Sequence, residues 1–326
     1  MTKRKLIINA RQIISFLDIG TNAVRLAIVR FNNRDKYEII CEKRAPTRLG
    51  VGMYSSGRLA PEAINRTVAA CKFFCLTSKL LGARKIIAVM TAAGREARNG
   101  KTLIKKILAS TGIEPVILSE KKEAQLIYSG ILNAMNTGRK RILIMEIGGG
   151  STELASGLGR LCKTAMALKI GAVRMKHYYP VIGGKKPVPE TVYRQIVAEL
   201  IISLRPHLMQ FIGQRFNLVF GSAGTIRSIA NAFARFHGRK LTANNSISFR
   251  QVSKTALRLC GLSLSQRKKI LKIQPDRADI IIGGAAILEA IMMLLNIRSI
   301  RVSHCGLREG LILDAYPTFP SGNRSL

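Results

Sequence analysis

The chain has 326 residues, 47% of them hydrophobic, and its 53 Lys and Arg oppose 18 Asp and Glu for a formal charge of +35. That length exceeds one ordinary core and supplies apolar material for two domains of common size. The charge excess works against compactness by self-repulsion and favours polyanionic partners (nucleic acid, an anionic membrane surface or polyphosphate), among which composition alone does not choose.

Residues 13–19 predict an apolar strand ending in Asp18-Ile19-Gly20-Thr21-Asn22, with further strands at 24–31 and 37–43. The first two are joined by a tight Gly/Asn turn, the mark of a hairpin. A helix over 61–81 has Pro61 near its start and Gly82 past its end. A strand at 85–91, a broken helix at 94–110, a strand at 114–118 and a helix at 119–133 that begins on the Ser119 cap complete the first half. Residues 141–147 then reopen the same series: an apolar strand carrying Glu146, followed by Gly148-Gly149-Gly150-Ser151-Thr152. Strands at 153–157 and 161–168, a helix at 189–204, a strand at 217–220 and the turn Gly221-Ser222-Ala223-Gly224-Thr225 follow. Helices are predicted at 226–236, 248–260, 265–271 and 277–295, then a strand at 299–302 and a helix at 307–313. Hairpin, strand, helix and strand thus occur twice, and the polar stretch Asn136-Thr137-Gly138-Arg139-Lys140 marks the seam between domains at 1–133 and 134–326. The last helix is expected to pack back on the first domain.

The six cysteines contain no Cys-x-x-Cys pair and only four His are present, which argues against a structural zinc site. Unpaired thiols point to a reducing cytoplasm. The basic start is followed by only Leu6-Ile7-Ile8, too short for a secretory apolar region. The apolar stretch at 280–295 contains Glu289 and falls short of the ~20 residues that span a bilayer, so no membrane insertion is expected.

A strand that ends at an acid and turns through glycines presents backbone N–H groups and one carboxylate to the same point. Such turns cradle phosphate oxygens, and the acid can hold a divalent cation. Asp18 with Gly20, Thr21 and Asn22 is one copy; Glu146 with Gly148, Gly149, Gly150 and Ser151 is the second. Residues 221–225, before a helix N-terminus, form a third turn of phosphate type. Singly each reads as a plain turn; three of them, two following acids, point to phosphate chemistry.

Six segments occur in an order that resembles the exopolyphosphatase and guanosine pentaphosphate phosphatase family. They are Asp18-Ile19-Gly20-Thr21-Asn22-Ala23-Val24-Arg25, Thr91-Ala92-Ala93-Gly94-Arg95-Glu96, Ser119-Glu120-Lys121-Lys122-Glu123, Glu146-Ile147-Gly148-Gly149-Gly150-Ser151-Thr152-Glu153, Gly221-Ser222-Ala223-Gly224-Thr225-Ile226-Arg227, and Ser303-His304-Cys305-Gly306-Leu307-Arg308-Glu309-Gly310. Arg277-Ala278-Asp279 agrees as well. The resemblance implies an α/β fold of two actin-like (ribonuclease H-like) lobes, with the duplicated strand–acid–Gly-turn topology and an interlobe cleft. It implies that Glu123 activates the attacking water, and that Asp18, Glu146 and Glu153 serve Mg²⁺ or the larger Mn²⁺. Phosphate then falls to Arg95, Gly20, Thr21, Asn22, Gly148, Gly149, Gly150, Ser151, Gly224 and Thr225.

Other readings stay open for several residues: a solvated first-turn glutamate for Glu123, an exposed side chain for Arg95 or Arg98, a sheet cover for Arg25, and a structural ion pair for Arg308 and Glu309. Lys122 is expected to lower the pKa of Glu123. Glu146 replaces the usual Asp, and Ala23 and Ala223 replace usual Ser residues. The implied activity is Mg²⁺-dependent release of orthophosphate from inorganic polyphosphate. The alternatives are hydrolysis of guanosine pentaphosphate and a non-catalytic module binding polyphosphate or nucleic acid. Non-specific nucleic-acid binding and a homodimer are left open.

Overall fold

The computed structural model describes residues 12–32, 37–133, 135, 137–239, 246–270, 272 and 275–315. The basic start and Asn136 of the seam lie outside the described residues. The first sheet holds β1 (Ile13–Ile19), β2 (Val24–Phe31), β3 (Tyr37–Ala45), β4 (Lys85–Met90) and β5 (Val116–Ile117), in the order β3-β2-β1-β4-β5. β1–β2 and β2–β3 pair antiparallel, β1–β4 and β4–β5 parallel. The second sheet holds β6 (Arg141–Ile147), β7 (Thr152–Leu158), β8 (Leu161–Leu168), β9 (Leu218–Ser222), β10 (Ser246–Ser248) and β11 (Ser299–Val302). Its order is β10-β11-β9-β6-β7-β8. Read from β8, the strands β8, β7, β6, β9 and β11 repeat the order and the sense of β3, β2, β1, β4 and β5. β10 is an added antiparallel edge. The duplicated topology read from the sequence is present, and two ribonuclease H-like lobes in tandem are the actin-like arrangement that the family resemblance implies. β1 and β6 are central strands covered on both faces, which is why they read as unbroken apolar runs.

The helices are α1 (Met53–Ser56), α2 (Pro61–Leu80), α3 (Ala92–Glu96), α4 (Gly100–Thr111), α5 (Glu120–Leu132), α6 (Ala172–Tyr178), α7 (Glu190–Leu208), α8 (Ala223–Phe236), α9 (Phe249–Cys260), α10 (Leu264–Ile270), α11 (Ile281–Leu294) and α12 (Leu307–Ala315). Four differ from the pattern in the sequence. α1 and α6 have only four and seven residues, too short for a periodic signal. α7 continues through Pro206 to Leu208 despite the lost N–H donor, with Leu204 and Leu208 buried on either side of it. α11 begins at Ile281, so Arg277 and Asp279 stand on the irregular segment before it instead of on the helix. No helix among the described residues is long and apolar enough to cross a membrane.

Three apolar clusters hold the molecule together. One packs α2 and α4 on the first sheet, around Leu17, Leu26, Phe74 and Leu103. Another packs α7, α8, α9 and α11 on the second, around Met145, Tyr193, Ile226 and Ile287. The third joins the two: Ile14, Phe16 and Val89 of the first sheet and Ile142, Ile144 and Phe220 of the second enclose Leu126, Ile127 and Ile131 of α5 with Leu311 and Ile312 of α12. α5 and α12 cross with almost no space between them. A Cβ on Gly130 would sit 2.5 Å from the Gly310 nitrogen, and one on Gly310 would meet the Leu126 backbone. The final sequence motif therefore supplies a glycine that seats α12 against the helix carrying Glu123.

Ion pairs tie the first sheet and its helices to the second half. Arg44 grips Asp276 at 2.5 and 3.0 Å, Arg48 pairs with Asp279, and Arg308 with Glu42. Asp279 also accepts from Lys176 at 2.6 Å. Its pKa falls below 3.8 despite burial, because Lys176 and Arg48 hydrogen-bond the ionised carboxylate. A depressed folded-state pKa stabilises the protein above the unfolded value and loses that contribution as pH falls through the folded one. Asp279→Asn should therefore cost about 1–3 kcal/mol in urea unfolding at pH 7. The gap from wild type should close as pH drops below 3.8. An equal gap at pH 7 and at pH 3 (roughly one unit below the free aspartate value) would assign the loss to packing instead.

Candidate active site

The same turn closes both hairpins. Gly20 N–H donates to Ala23 O at 3.1 Å, and Gly148 N–H donates to Ser151 O at 2.9 Å. At either glycine an added Cβ would lie 3.1 Å from that same acceptor, so the duplication extends to atomic detail. The two turns face one another: a Cβ on Gly149 would come within 3.1 Å of Thr21 Cβ, and one on Gly150 within 2.8 Å of Thr21 Oγ1. The third turn differs from its expected form. β9 runs to Ser222 and α8 starts at Ala223, so Gly224 and Thr225 belong to the helix's first turn. Ala223 takes the left-handed φ of 67°, a conformation that costs a residue with a Cβ on the order of 1–2 kcal/mol.

Between these turns lies a chamber of about 60 Å³. Its lining includes Asp18, Gly20, Thr21, Asn22, Glu123, Glu146, Gly148, Gly149, Gly150, Ser151, Glu153 and Gly224 from the sequence-derived set. Arg95 stands behind Glu123 and touches it. Thr225 is not in the lining; it is buried, its Oγ1 without a hydrogen-bond partner among the described residues. Arg25, Thr91, Ala223, Arg277 and Leu307 also line the chamber. Arg277 lies over the third turn, where a side chain on Gly224 would run into its guanidinium.

Glu123 sits in the first turn of α5 but is 5% exposed, so it is not a solvated surface glutamate. Arg95 Nη1 donates to its Oε2 at 2.9 Å and to Leu118 O at 2.7 Å. The other Arg95 donors, Nε and Nη2, are buried without a hydrogen-bond partner. Lys122 does not act on Glu123: its ammonium points to Asp314 on α12 at 2.5 Å, since adjacent residues of a helix diverge. Burial instead drives the Glu123 pKa up to about 7; Arg95 opposes the rise, while Asp18 and Glu146 add to it. Glu146 is likewise raised to about 7 by burial, with Arg25 opposing, and its Oε2 has no hydrogen-bond partner. Burial raises Asp18 as well, against the pull of Arg25 at 3.7 Å. Glu153 is pushed well up by burial and then by Glu123, and it accepts from Ser151 Oγ. On the opposite side, burial and the neighbouring Arg25 and Arg44 push Arg277 down to about 9. Among the described residues no three His, Cys, Asp or Glu side chains are grouped closely enough to hold a metal ion by themselves.

A sequence model of the Ppx/GppA phosphatase family matches residues 27–319. The chain belongs to that family. Exopolyphosphatase 1 of Mycobacterium tuberculosis is 27% identical over 308 residues, covering 92% of this chain and 87% of that protein. The Mycobacterium leprae protein of the same name is 26% identical over 308 residues, covering 92% and 88%. Among solved structures, an exopolyphosphatase from Cytophaga hutchinsonii superposes with a TM-score of 0.83 at 23% identity, covering 93% of this chain and 97% of that one. The Ppx/GppA family member of Aquifex aeolicus gives 0.75 at 22%, with coverage of 93% and 97%. These two likenesses concern the fold.

Relative to the family motifs, the final Arg308 and Glu309 serve structure. Arg308 bridges Glu42 and Glu309, and Glu309 accepts the Gly306 N–H at 2.7 Å. Arg98 is exposed. Three residues outside the sequence-derived set hold the second Gly turn. Buried Arg174 on α6 donates Nε to Gly150 O at 2.9 Å and Nη2 to Glu96 Oε2 at 2.6 Å, and its guanidinium lies 4.2 Å from the Tyr54 ring centroid. Glu96 and Tyr54 come from the first half of the chain, so one guanidinium fixes the Gly148–Ser151 turn to both halves. No spacing in the sequence links α1, α3 and α6. Arg174→Lys loses the fork and the stacking and should lower phosphatase turnover roughly 10- to 100-fold, as loss of positioning commonly does. Amide exchange at Gly149 and Gly150 should quicken while the melting temperature changes little. Unchanged exchange at those two amides would remove Arg174 from this role.

Proposed function

We propose that the protein removes terminal orthophosphate from inorganic polyphosphate, with Glu123 activating the water. The carrying observation is one chamber that Asp18, Glu123, Glu146 and Glu153 line together with the two facing Gly turns, Arg25 and Arg277, where the buried Glu146 Oε2 has no hydrogen-bond partner among the described residues. The clustered carboxylates call for a cation, and the turn N–H groups and arginines for an anion. A phosphate accompanied by a divalent ion supplies both. The names of the mycobacterial relatives agree with this reading.

The oxygen-only donor set suits Mg²⁺ or Mn²⁺. Asp18 and Glu146 would hold the ion, with waters and phosphate oxygens filling the remaining positions, since Mg²⁺ commonly takes one or two protein carboxylates and keeps several waters. Bound there, the ion supplies charge neutralisation for the phosphates and lowers the pKa values of the carboxylates beside it. The N–H groups of the two Gly turns orient the terminal phosphoryl group. Arg95 occupies Glu123 Oε2 and fixes the carboxylate, leaving Oε1 to accept a proton from water in line with the leaving oxygen. Arg25 and Arg277 take the following phosphates. The chamber of about 60 Å³ takes the terminal phosphoryl group. The formal charge of +35 favours the longer polyanion, polyphosphate, over guanosine pentaphosphate. All six cysteines are free thiols, which supports a reducing cytoplasmic setting.

Purified protein offered long polyphosphate and guanosine pentaphosphate side by side should release phosphate faster from the former, and only with Mg²⁺ or Mn²⁺. Glu123→Gln should lower the rate roughly 10²–10⁴-fold and leave polyphosphate binding nearly intact. Wild-type turnover in that variant would dismiss Glu123 as the base. Glu146→Asp withdraws its carboxylate by about one C–C bond, ~1.5 Å. It should change the Mg²⁺ concentration needed for half-maximal rate or the preference for Mg²⁺ over Mn²⁺. If neither moves, Glu146 is not at the metal.

A further inference from the structure

Helix α2 is apolar on two sides. Its inner face, with Ile64, Cys71, Phe74 and Cys75, is buried on the first sheet. A surface helix of a single-faced lobe would be polar on the other side. Here Phe73, Leu76 and Leu80 are 56%, 52% and 86% exposed. Their spacing of three and four residues places them in one stripe over the last two turns. Leu81 continues the stripe beyond the helix end.

Cations frame this stripe. Lys72 and Lys79 are exposed beside it, and Lys43 on β3 reaches over the Phe73 ring at 5.7 Å from the centroid. α4 packs next to α2 and exposes Lys101, Lys105 and Lys106 together with Leu108. The two helices contain a single acid, Glu62 in the first turn of α2. At 1.5 Å per residue it lies about 21 Å along the axis from Leu76. On β3 nearby, Glu38 is taken up by Arg30 at 3.1 Å.

The geometry points to an anionic lipid surface as the occupant of this face: we propose that the protein docks peripherally on negatively charged bilayers through the α2 stripe. A second copy is a poor fit, because an isologous contact would set Lys72 and Lys79 against the same lysines in a chain of formal charge +35. Polyphosphate or nucleic acid would satisfy the lysines but leave Phe73, Leu76 and Leu80 in water. A bilayer of anionic lipid meets both needs. The protruding apolar side chains enter the headgroup–acyl boundary, and the lysine stems run along it with their ammonium groups at the phosphates. The contact lies on the lobe's surface and requires no spanning segment.

The test is sedimentation of the full chain with vesicles of phosphatidylcholine containing about one-third phosphatidylglycerol, against pure phosphatidylcholine vesicles. Binding should be at least about ten-fold stronger to the anionic vesicles and should weaken as salt rises. Leu76→Glu/Leu80→Glu should reduce it at least about ten-fold, and Leu80→Ser alone, at a side chain too exposed to affect folding, about three-fold. Phosphate release in solution should be unchanged in both. Equal binding by wild type and both variants would show bulk charge at work and overturn the proposal. Absence of wild-type binding, or an acidic protein captured through this face in its place, would overturn it equally. Because binding is read without substrate, failure here is separate from failure of the proposed hydrolysis.

Discussion

Four carboxylates, buried Glu123, Glu146 and Glu153 with half-buried Asp18, line one small chamber, and much of the architecture serves to make that tolerable. Carboxylates removed from water resist ionisation, and their neighbours add to this: Asp18 and Glu146 raise Glu123, Asp18 raises Glu146, and Glu123 and Glu146 raise Glu153. Cations close at hand offset this only in part: Arg95 bonds Glu123, and Arg25 faces Asp18 and Glu146. The arginines are themselves crowded, since burial and the neighbouring Arg25 lower both Arg227 and Arg277. A cleft lined by both carboxylates and arginines is complementary to a divalent cation carrying a polyanion.

Holding such a site requires stiffness, which comes from the joint between the halves. α5 and α12 lie between both sheets and meet closely at Gly130 and Gly310, so the helix carrying Glu123 is packed against both halves. Arg174 fixes the second turn from the other side. The strained φ of Ala223 is held where β9 passes directly into α8, at the chamber wall. Strain persists in this way only where surrounding packing over-determines the backbone.

The chain's few acids are concentrated inside or between its halves. Beyond the four in the cleft, Glu42, Glu96, Asp276 and Asp279 join the halves, and Glu289 and Glu309 are buried. The outer surface is therefore more one-sidedly basic than composition suggests. That excess favours capture of a long polyanion by the cleft mouth. It also leaves faces such as that of α2 and α4 without a neutralising partner.

The sequence by itself determined the two-fold repeat, the nature of the central strands and the two hairpin turns after Asp18 and Glu146. These are set by short-range rules: apolar runs for strands covered on both faces, glycine where the backbone turns tightly, and a Ser cap before α5. Asp18 and Glu146 were legible as strand acids before glycine turns, whereas Glu123 and Arg95 stood out only through the motifs that resemble the family. Tertiary structure alone decided which of them meet, that Thr225 stays behind the wall, and that Lys122 turns away to Asp314. It also assembled the Arg174–Glu96–Tyr54 clamp from three elements far apart in the chain. Such contacts follow from the angle at which two lobes close on α5 and α12. That angle is set by packing volumes such as the missing side chains of Gly130 and Gly310, and no local periodicity records it.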